Sequence, residues 1–523
     1  MFRYPKLIAL AAGALSATGF APLGLWPVTI ACFALLIELL WRASSWRAAF
    51  ARSWLFGVGH FTVGLNWIAH AFTYQDTMPH WFGYGAVVAL SLYLAVYPAS
   101  GGVLVWLATF FRHPRESGGP PFLWNEKEKV GPRFRGDDEV GFVLALAALW
   151  IATEYLRATM FTGFAWNPLG VALLDTPLAG VSRAIGTYGL SGLAVLLAGA
   201  VWLLARRRWL FGGVVAAALA MVAVTSFLVP VTFGGPTLPV RIVQPNVSQD
   251  EKHDPSQQVE NLRQLVRMSG PPGPTPRLLL WPEAAIDNGF YLDEEPELRR
   301  YLARTLGPRD LLLSGGVALE YDRGGRAIGA RNSVFALAPD ARILARYDKA
   351  HLVPYGEYLP MRTILVPLGL SRLVPGDLDF WPGPGPTSFD LPGIGPVGFQ
   401  ICYEIIFSGQ VVDAARRPRF LFNPSNDAWF GAWGPPQHMA QARLRALEEG
   451  MTIVRATPTG ISGVIAPDGR LTASIPMGRM AVLDAALPPA AAPTLFARHG
   501  NLLSGLFALL LAGFAVVISL RRR

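Results

Sequence analysis

Cysteine is nearly absent: two residues in 523, too few for a disulfide framework. The eight histidines are scattered without the paired spacing that zinc or other metal sites require, so neither a metal nor a cofactor is expected. Charge is scarce too. Asp, Glu, Lys and Arg make up 15% of the chain, against about 25% in soluble domains, and the mean hydropathy is +0.34. The chain is therefore not a purely soluble protein. The balance is basic, with a net charge of +9 and a pI of 9.7. Many of the Lys and Arg flank apolar runs instead of forming a patch, which argues against nucleic acid as a partner.

Apolar runs dominate residues 7–230. A hydrocarbon core of ~30 Å takes about 20 mainly apolar residues to span. Seven runs qualify as candidates, at 7–21, 26–41, 54–73, 82–111, 140–160, 184–205 and 209–230, with an eighth at 501–520. The first resembles a signal peptide, but the spans that follow at once favour a retained anchor. Arg3 and Lys6, then Arg42, Arg47 and Arg52, then the basic residues of 112–135, then Arg206–Arg208 and finally Arg521–Arg523 occupy alternate ends of these runs. The intervening turns 22–25 and 74–81 hold no Lys or Arg. Basic loops stay cytoplasmic, so both termini are expected in the cytoplasm and the block from about 231 to 500 on the opposite face. The Pro- and Gly-rich stretch 112–139 reads as a solvated, mobile cytoplasmic insertion.

Residues 239–485 change character. Short apolar runs bounded by Gly, Pro, Asn and Asp predict strands at Val240–Gln244, Leu278–Trp281, Leu311–Gly315, Ser333–Ala338, Val397–Cys402, Phe420–Asn423, Thr452–Ala456 and Ile461–Ala466. Helical patterns lie at Ser256–Met268, Glu297–Leu306 and Gln437–Gly450, with loops at 270–276 and 382–396 and a Pro/Ala linker at 486–494. Interleaved strands and helices predict an α/β domain. The expected organisation is transmembrane helices 1–7 in residues 1–231, an α/β domain in 232–495, and an eighth helix with a basic tail in 496–523.

Of the two cysteines, Cys32 sits inside an apolar run as a small buried hydrophobe. Cys402 ends an apolar strand and is followed by Tyr403 and Glu404, a place where a nucleophile is displayed. Leu278–Trp281 leads through Pro282 to Glu283, and Arg346–Asp348 leads to Lys349, with Glu357 eight residues on. Each alone is a common solvated strand end. Together a base, a cation and a thiol make a plausible acyl-transfer set.

The order Trp281-Pro-Glu283, then Lys349-Ala-His-Leu-Val-Pro-Tyr-Gly-Glu357, then Ile401-Cys-Tyr-Glu404 resembles the nitrilase superfamily. Asn423-Pro-Ser-Asn-Asp-Ala-Trp-Phe-Gly431, Gln437-His438, Arg455-Ala-Thr-Pro-Thr-Gly460, Gly64-Leu-Asn-Trp67 and Thr162-Gly-Phe-Ala-Trp166 narrow the likeness to its membrane-embedded branch, the apolipoprotein N-acyltransferases. The resemblance implies an eight-span helical membrane domain carrying an extracytoplasmic nitrilase-like α-β-β-α sandwich, in a bacterial inner membrane, as a monomer with no cofactor. It implies a triad of Glu283 as base, Lys349 as oxyanion support and Cys402 as nucleophile, with Glu357, Tyr403 and Glu404 supporting. Asn426 and Trp429 become candidate substrate-binding residues. His253 is another, standing where the family commonly has Trp. The implied partners are a phospholipid acyl donor, a diacylated apolipoprotein acceptor and the bilayer. The implied reaction passes an acyl chain through a Cys402 thioester to the acceptor's N-terminal α-amine.

The apolar stretch Tyr358–Val374, with Arg362 and Arg372, reads as an arm toward the membrane interface that gates lipid entry. His438 reads as an ordinary helix histidine, and Arg443 and Arg445 as members of local ion pairs. Two other functions stay open on the residues alone. One is a membrane-tethered amidase, against which seven preceding spans argue. The other is a transporter or receptor with an external binding domain, against which the scarcity of intramembrane charge argues.

Overall fold

The computed structural model describes residues 3–74, 78–110, 136–286, 289–368, 372–373 and 378–520. The chain divides into two compact units, Met1–Asn66 with Gly85–Val229 and His499–Arg523, and Trp67–Tyr84 with Pro230–Arg498.

The first unit is helical. Phe82–Ala108, Asp138–Thr159, Pro177–Ala205, Trp209–Ser226 and Leu502–Leu520 are long and apolar enough to cross a bilayer, and Trp26–Trp41 is apolar but shorter. The run at 7–21 is a helix over Pro5–Ser16 and a 3-10 turn over Ala17–Gly19. The run expected at 54–73 is displaced. Its helix spans Trp46–Gly64, because the Ser45 hydroxyl caps the start by accepting from the Ala48 N–H at 3.2 Å. A separate short helix begins at Ile68. The expected insertion 112–139 lies outside the described residues up to 135, and from Gly136 it is already helix. Buried Glu139 accepts from Arg206 at 3.0 Å and Arg208 at 2.7 Å, which satisfies an acidic group at that polar helix start.

Among the described residues the second unit carries twelve strands. β1 (Leu238–Gln244), β2 (Leu278–Leu280), β3 (Leu311–Tyr321), β4 (Ala327–Leu337) and β5 (Ile343–Asp348) come first. Then follow β6 (Ser388–Leu391), β7 (Gly395–Phe399), β8 (Leu421–Pro424), β9 (Ile453–Ala456), β10 (Ser462–Ile465), β11 (Leu471–Ile475) and β12 (Ala481–Leu487). They form two six-stranded sheets, ordered β12-β1-β2-β3-β4-β5 and β11-β10-β9-β8-β7-β6.

Strand alternation sorts the layers. In the first sheet Val243, Leu279, Trp281, Leu312, Phe335 and Leu337 join one core cluster with Leu262, Leu265, Leu298 and Leu302 of the helices Gln258–Ser269 and Pro296–Ala303. Gln244, of opposite parity to Val243, reaches the second sheet instead, where its Oε1 accepts from Ser462 Oγ at 2.6 Å. Both faces of this sheet are covered, which is why its strands read as continuous apolar runs. The helix Gly434–Glu449 packs on β9 and β10 of the other sheet. Arg445 pairs with Glu448 on that helix at 2.7 Å, as its spacing predicts, while the Arg443 Nε donates to the Gly469 carbonyl.

All eight predicted strands exist, with their ends shifted, and β5 is the strand whose end was read before Lys349, but β6, β11 and β12 were not expected. β6 falls inside the Pro/Gly region read as loop, and β12 runs into the start of the expected linker. β6, β11, β12 and β5 are the four outermost strands, so less of their surface is buried and their apolar pattern is weak.

Candidate active site

Three strand ends assemble the site. Glu283 follows β2, Lys349 follows β5 directly, and Cys402 follows β7 by three residues. The first two come from one sheet and the thiol from the other. All three side chains are buried, as are Glu357, Tyr403 and Glu404. The turn carrying Glu283 lies against Gly315 of β3. A Cβ there would sit 2.5 Å from the Pro282 carbonyl oxygen and the Ala284 nitrogen, so only glycine permits this approach.

Lys349 Nζ lies 2.9 Å from Glu357 Oε1 and 3.5 Å from Glu283 Oε1. The side-chain amide of Asn332, on β4, donates to the same two oxygens, at 2.9 Å to Glu357 and 2.8 Å to Glu283. Glu357 is further fixed by the Val353 N–H, which donates to Oε2 at 2.8 Å. Burial works against the Lys349 charge, but Glu357, Glu283 and Cys402 outweigh it and hold the ammonium well above the ordinary lysine range. Burial and then Glu283 push the Cys402 thiol well above its ordinary value, opposed by Lys349 and by the N–H of Asn426. At rest the Lys349 ammonium therefore sits beside a neutral thiol.

Cys402 adopts φ +51°, the left-handed region that a non-glycine residue occupies only when its surroundings hold it there. Its carbonyl is the handle. His438 Nε2 lies 3.0 Å from that oxygen and Asn423 Nδ2 3.4 Å. A carbonyl only accepts, so Nε2 carries a hydrogen. On the other side of the ring Nδ1 lies 2.8 Å from Asp427 Oδ1. Arg455 then donates to Asp427 Oδ2 at 3.1 Å and to Asn423 Oδ1. His438, Asp427 and Arg455 are fully buried together beneath the nucleophile.

Glu404 ties the loops to one another. Its carboxylate accepts from the N–H groups of Ala350 (2.7 Å), His351 (3.1 Å) and Ile401 (2.6 Å) and from the Tyr347 hydroxyl. The residue after Lys349 and the residue before Cys402 are thus fastened to a single side chain. Tyr403 packs edge-on against Phe407 and His351.

Asn426 presents its N–H to the thiol, and its side-chain amide donates to Gln249 Oε1 at 2.8 Å. Trp429 meets the ring of Tyr74 edge-on at 5.6 Å. The His253 side chain lies outside the described residues. In the predicted arm Leu359 is buried, while Met361, Ile364 and Val366 are exposed beside the Arg362–Asp379 ion pair at 2.6 Å. Residues 369–371 and 374 of that arm lie outside the described residues.

Reasoning from the sequence passed over Asn332 and gave His438 no part in the site. Asn332 had a signal in the polar run Arg331-Asn-Ser333, which interrupts an otherwise apolar buried strand. The only sign of His438 was its place in the family-like motif. Among the described residues no three His, Cys, Asp or Glu side chains are grouped to hold a metal ion.

Two family descriptions match the chain in order. "Apolipoprotein N-acyltransferase N-terminal domain" covers residues 12–200 and "Carbon-nitrogen hydrolase" covers residues 240–494. The apolipoprotein N-acyltransferase of Rhodopseudomonas palustris is 34% identical, over 99% of this chain and 95% of its own length. That of Bradyrhizobium diazoefficiens is 35% identical over the same shares, and that of Allorhizobium ampelinum 34% over 95% and 92%. Likeness on this scale runs through both the helical unit and the two-sheet unit, and the chain belongs to the apolipoprotein N-acyltransferase family.

Proposed function

We propose that this membrane protein transfers a fatty acyl chain from a phospholipid to the N-terminal α-amine of a diacylglyceryl-cysteine on an apolipoprotein, by way of a thioester on Cys402. The observation that carries the reading is the convergence of Glu283, Lys349 and the strained Cys402 in one buried cluster within a chain of this family.

The thiol is neutral at rest, so it needs a base as the substrate arrives. Glu283 takes the proton through Oε2, and sulfur attacks the ester carbonyl carbon. The oxyanion forms beside Lys349 and the Asn426 N–H; losing one such donor typically lowers rate by ~10²–10³. Collapse expels the lysophospholipid alkoxide, which recovers the proton from Glu283. In the second half the neutral α-amine attacks the thioester, Glu283 accepts its proton, and the departing Cys402 sulfur takes that proton from Glu283, restoring the neutral thiol. An α-amino pKa of ~7.7–8.0 leaves a useful neutral fraction at physiological pH. Glu357 fixes Lys349, Glu404 and Tyr403 hold the loops, and Trp429 faces the acceptor or lipid.

The helical part spans the membrane with both termini cytoplasmic, the helix Trp46–Gly64 standing in place of the run read at 54–73, and residues 232–495, joined by Trp67–Tyr84, form the periplasmic catalytic domain of a bacterial inner-membrane protein. Both substrates live in the bilayer, so a site at its rim avoids extracting acyl chains at ~0.8 kcal/mol per CH₂. The exposed Met361, Ile364 and Val366 form the lipid-facing part of the arm.

Mass spectrometry of the purified protein with phospholipid tests the reading. An acyl adduct on Cys402, missing in Cys402→Ala and transferred to a diacylated lipopeptide, is the expected result. Undiminished transfer by Cys402→Ser would refute it.

A further inference from the structure

The segment Trp67–Tyr84 lies in the chain between two apolar helices, yet it clusters with Pro230–Arg498. Its short helix Ile68–Ala71 packs on the 3-10 turn Asp427–Phe430. Three rings then stand in series. Trp67 meets Phe430 edge-on with centroids 4.8 Å apart, and Phe430 meets His438 edge-on at 5.6 Å. His438 ends the series on the Cys402 carbonyl, 3.0 Å from Nε2. The packing leaves no slack, since a Cβ on Gly434 would lie 2.2 Å from the Phe430 Cβ and 3.4 Å from the Trp67 ring. The series thus bears on the one carbonyl through which the left-handed backbone of Cys402 is held.

We infer that Trp67, acting through Phe430, is a positioning residue for the nucleophile, and that His438 is the last link, holding the main chain of Cys402 without carrying a proton to the reacting atoms. Both ring nitrogens of His438 have partners, Nε2 the Cys402 carbonyl and Nδ1 the Asp427 carboxylate and the Arg455 guanidinium. The two-sheet block therefore borrows part of its site from the stretch between two apolar helices. This rests on the reading of Cys402 as the nucleophile.

The test uses the full chain in phospholipid-containing micelles without acceptor. Mass spectrometry follows two rates at Cys402: acylation by phospholipid, and alkylation by iodoacetamide, which requires no lipid chemistry. Trp67→Ala is expected to slow both by about 10- to 100-fold, since a misplacement of ~1 Å is worth about 10²-fold. The half-saturating lipid concentration should change less than about 3-fold, and Trp67→Phe should recover most of the loss. Trp67→Ala with Phe430→Ala should be no slower than the slower single variant, because both break one series. Rates in Trp67→Ala within about twofold of the parent, or single losses that multiply in the double variant, would overturn the inference. If the alanine variant does not fold, Trp67→Leu carries the same criteria. A parent protein that alkylates but never acylates would count against the thioester reading, while the alkylation series still decides the positioning role.

Discussion

The side-chain amide of Asn332 holds Glu283 by one oxygen only. Nδ2 donates to Oε1 at 2.8 Å, while Oε2 has no hydrogen-bond partner among the described residues. A buried carboxylate oxygen without a partner is unusual in a folded protein. Here it is the oxygen left over once Asn332 and Lys349 have taken the other, and so the one available to receive a proton.

Asn332→Ala should therefore leave Lys349 and Glu357 paired but free Glu283 to rotate. Turnover is expected to fall by about 10²-fold, in the range that a general base contributes. The measurement is the single-turnover rate of acyl-enzyme formation. A rate within threefold of the parent would mean that Asn332 does not aim the base.

Lys349→Met should affect stability and rate together. It leaves Glu283 and Glu357 buried without their cation, and breaking such a pair is destabilising by about 3–5 kcal/mol. Rate should fall by at least ~10²–10³ with the lost oxyanion support. Adding Glu357→Gln should restore part of the thermal midpoint and none of the activity. Recovery of activity in the double variant would remove Lys349 from the mechanism.

Stability should depend on pH through Glu404. Burial raises its carboxyl to about 7, against the opposing N–H donors of Ile401, His351 and Ala350 and the charge of Lys349. The native state thus binds this proton more tightly than the unfolded chain, whose value is the ordinary 4.5. The contribution is complete below about pH 4.5 and is lost as pH rises through about 7. Glu449, raised to about 7 by burial and by Glu448, acts in the same direction. Glu404→Gln should be less stable at every pH, because its amide nitrogen faces an N–H donor. Its thermal midpoint should also decline less between pH 5 and 8 than the parent's. Parallel declines would rule out titration at this side chain.

Ile364→Asp tests the arm. Its side chain is exposed and makes no part of the buried core, so the fold should be unchanged. If the exposed apolar surface meets lipid, the variant should raise the half-saturating phospholipid concentration several-fold at constant maximal rate. An unchanged value would make the arm an ordinary surface loop.

Much of this was legible in the sequence because it is local. Apolar run lengths, strand patterns flanked by Gly and Pro, and the order Glu283, Lys349, Cys402 depend on neighbouring residues. Where the sequence misled, a distant partner was responsible. The helix from Gly136 starts inside an expected loop because Arg206 and Arg208 satisfy Glu139. The expected span at 54–73 stops at Gly64, and the residues from Trp67 onward pack with the other unit. Edge strands such as β6 lacked a signal because only part of their surface is buried.

The chain alone thus showed an apolar helical part and a strand-rich part, and which residue types could carry acyl transfer. The tertiary structure decided which oxygen of Glu283 stays open, that Cys402 takes a left-handed backbone, and that His438 and Trp67 stand behind it. Hydrogen bonds and ring contacts act over a few ångströms, and many of the residues they join here, such as Asn332 with Glu283 and Trp67 with Phe430, lie tens to hundreds of positions apart. Only the folded chain brings them within reach.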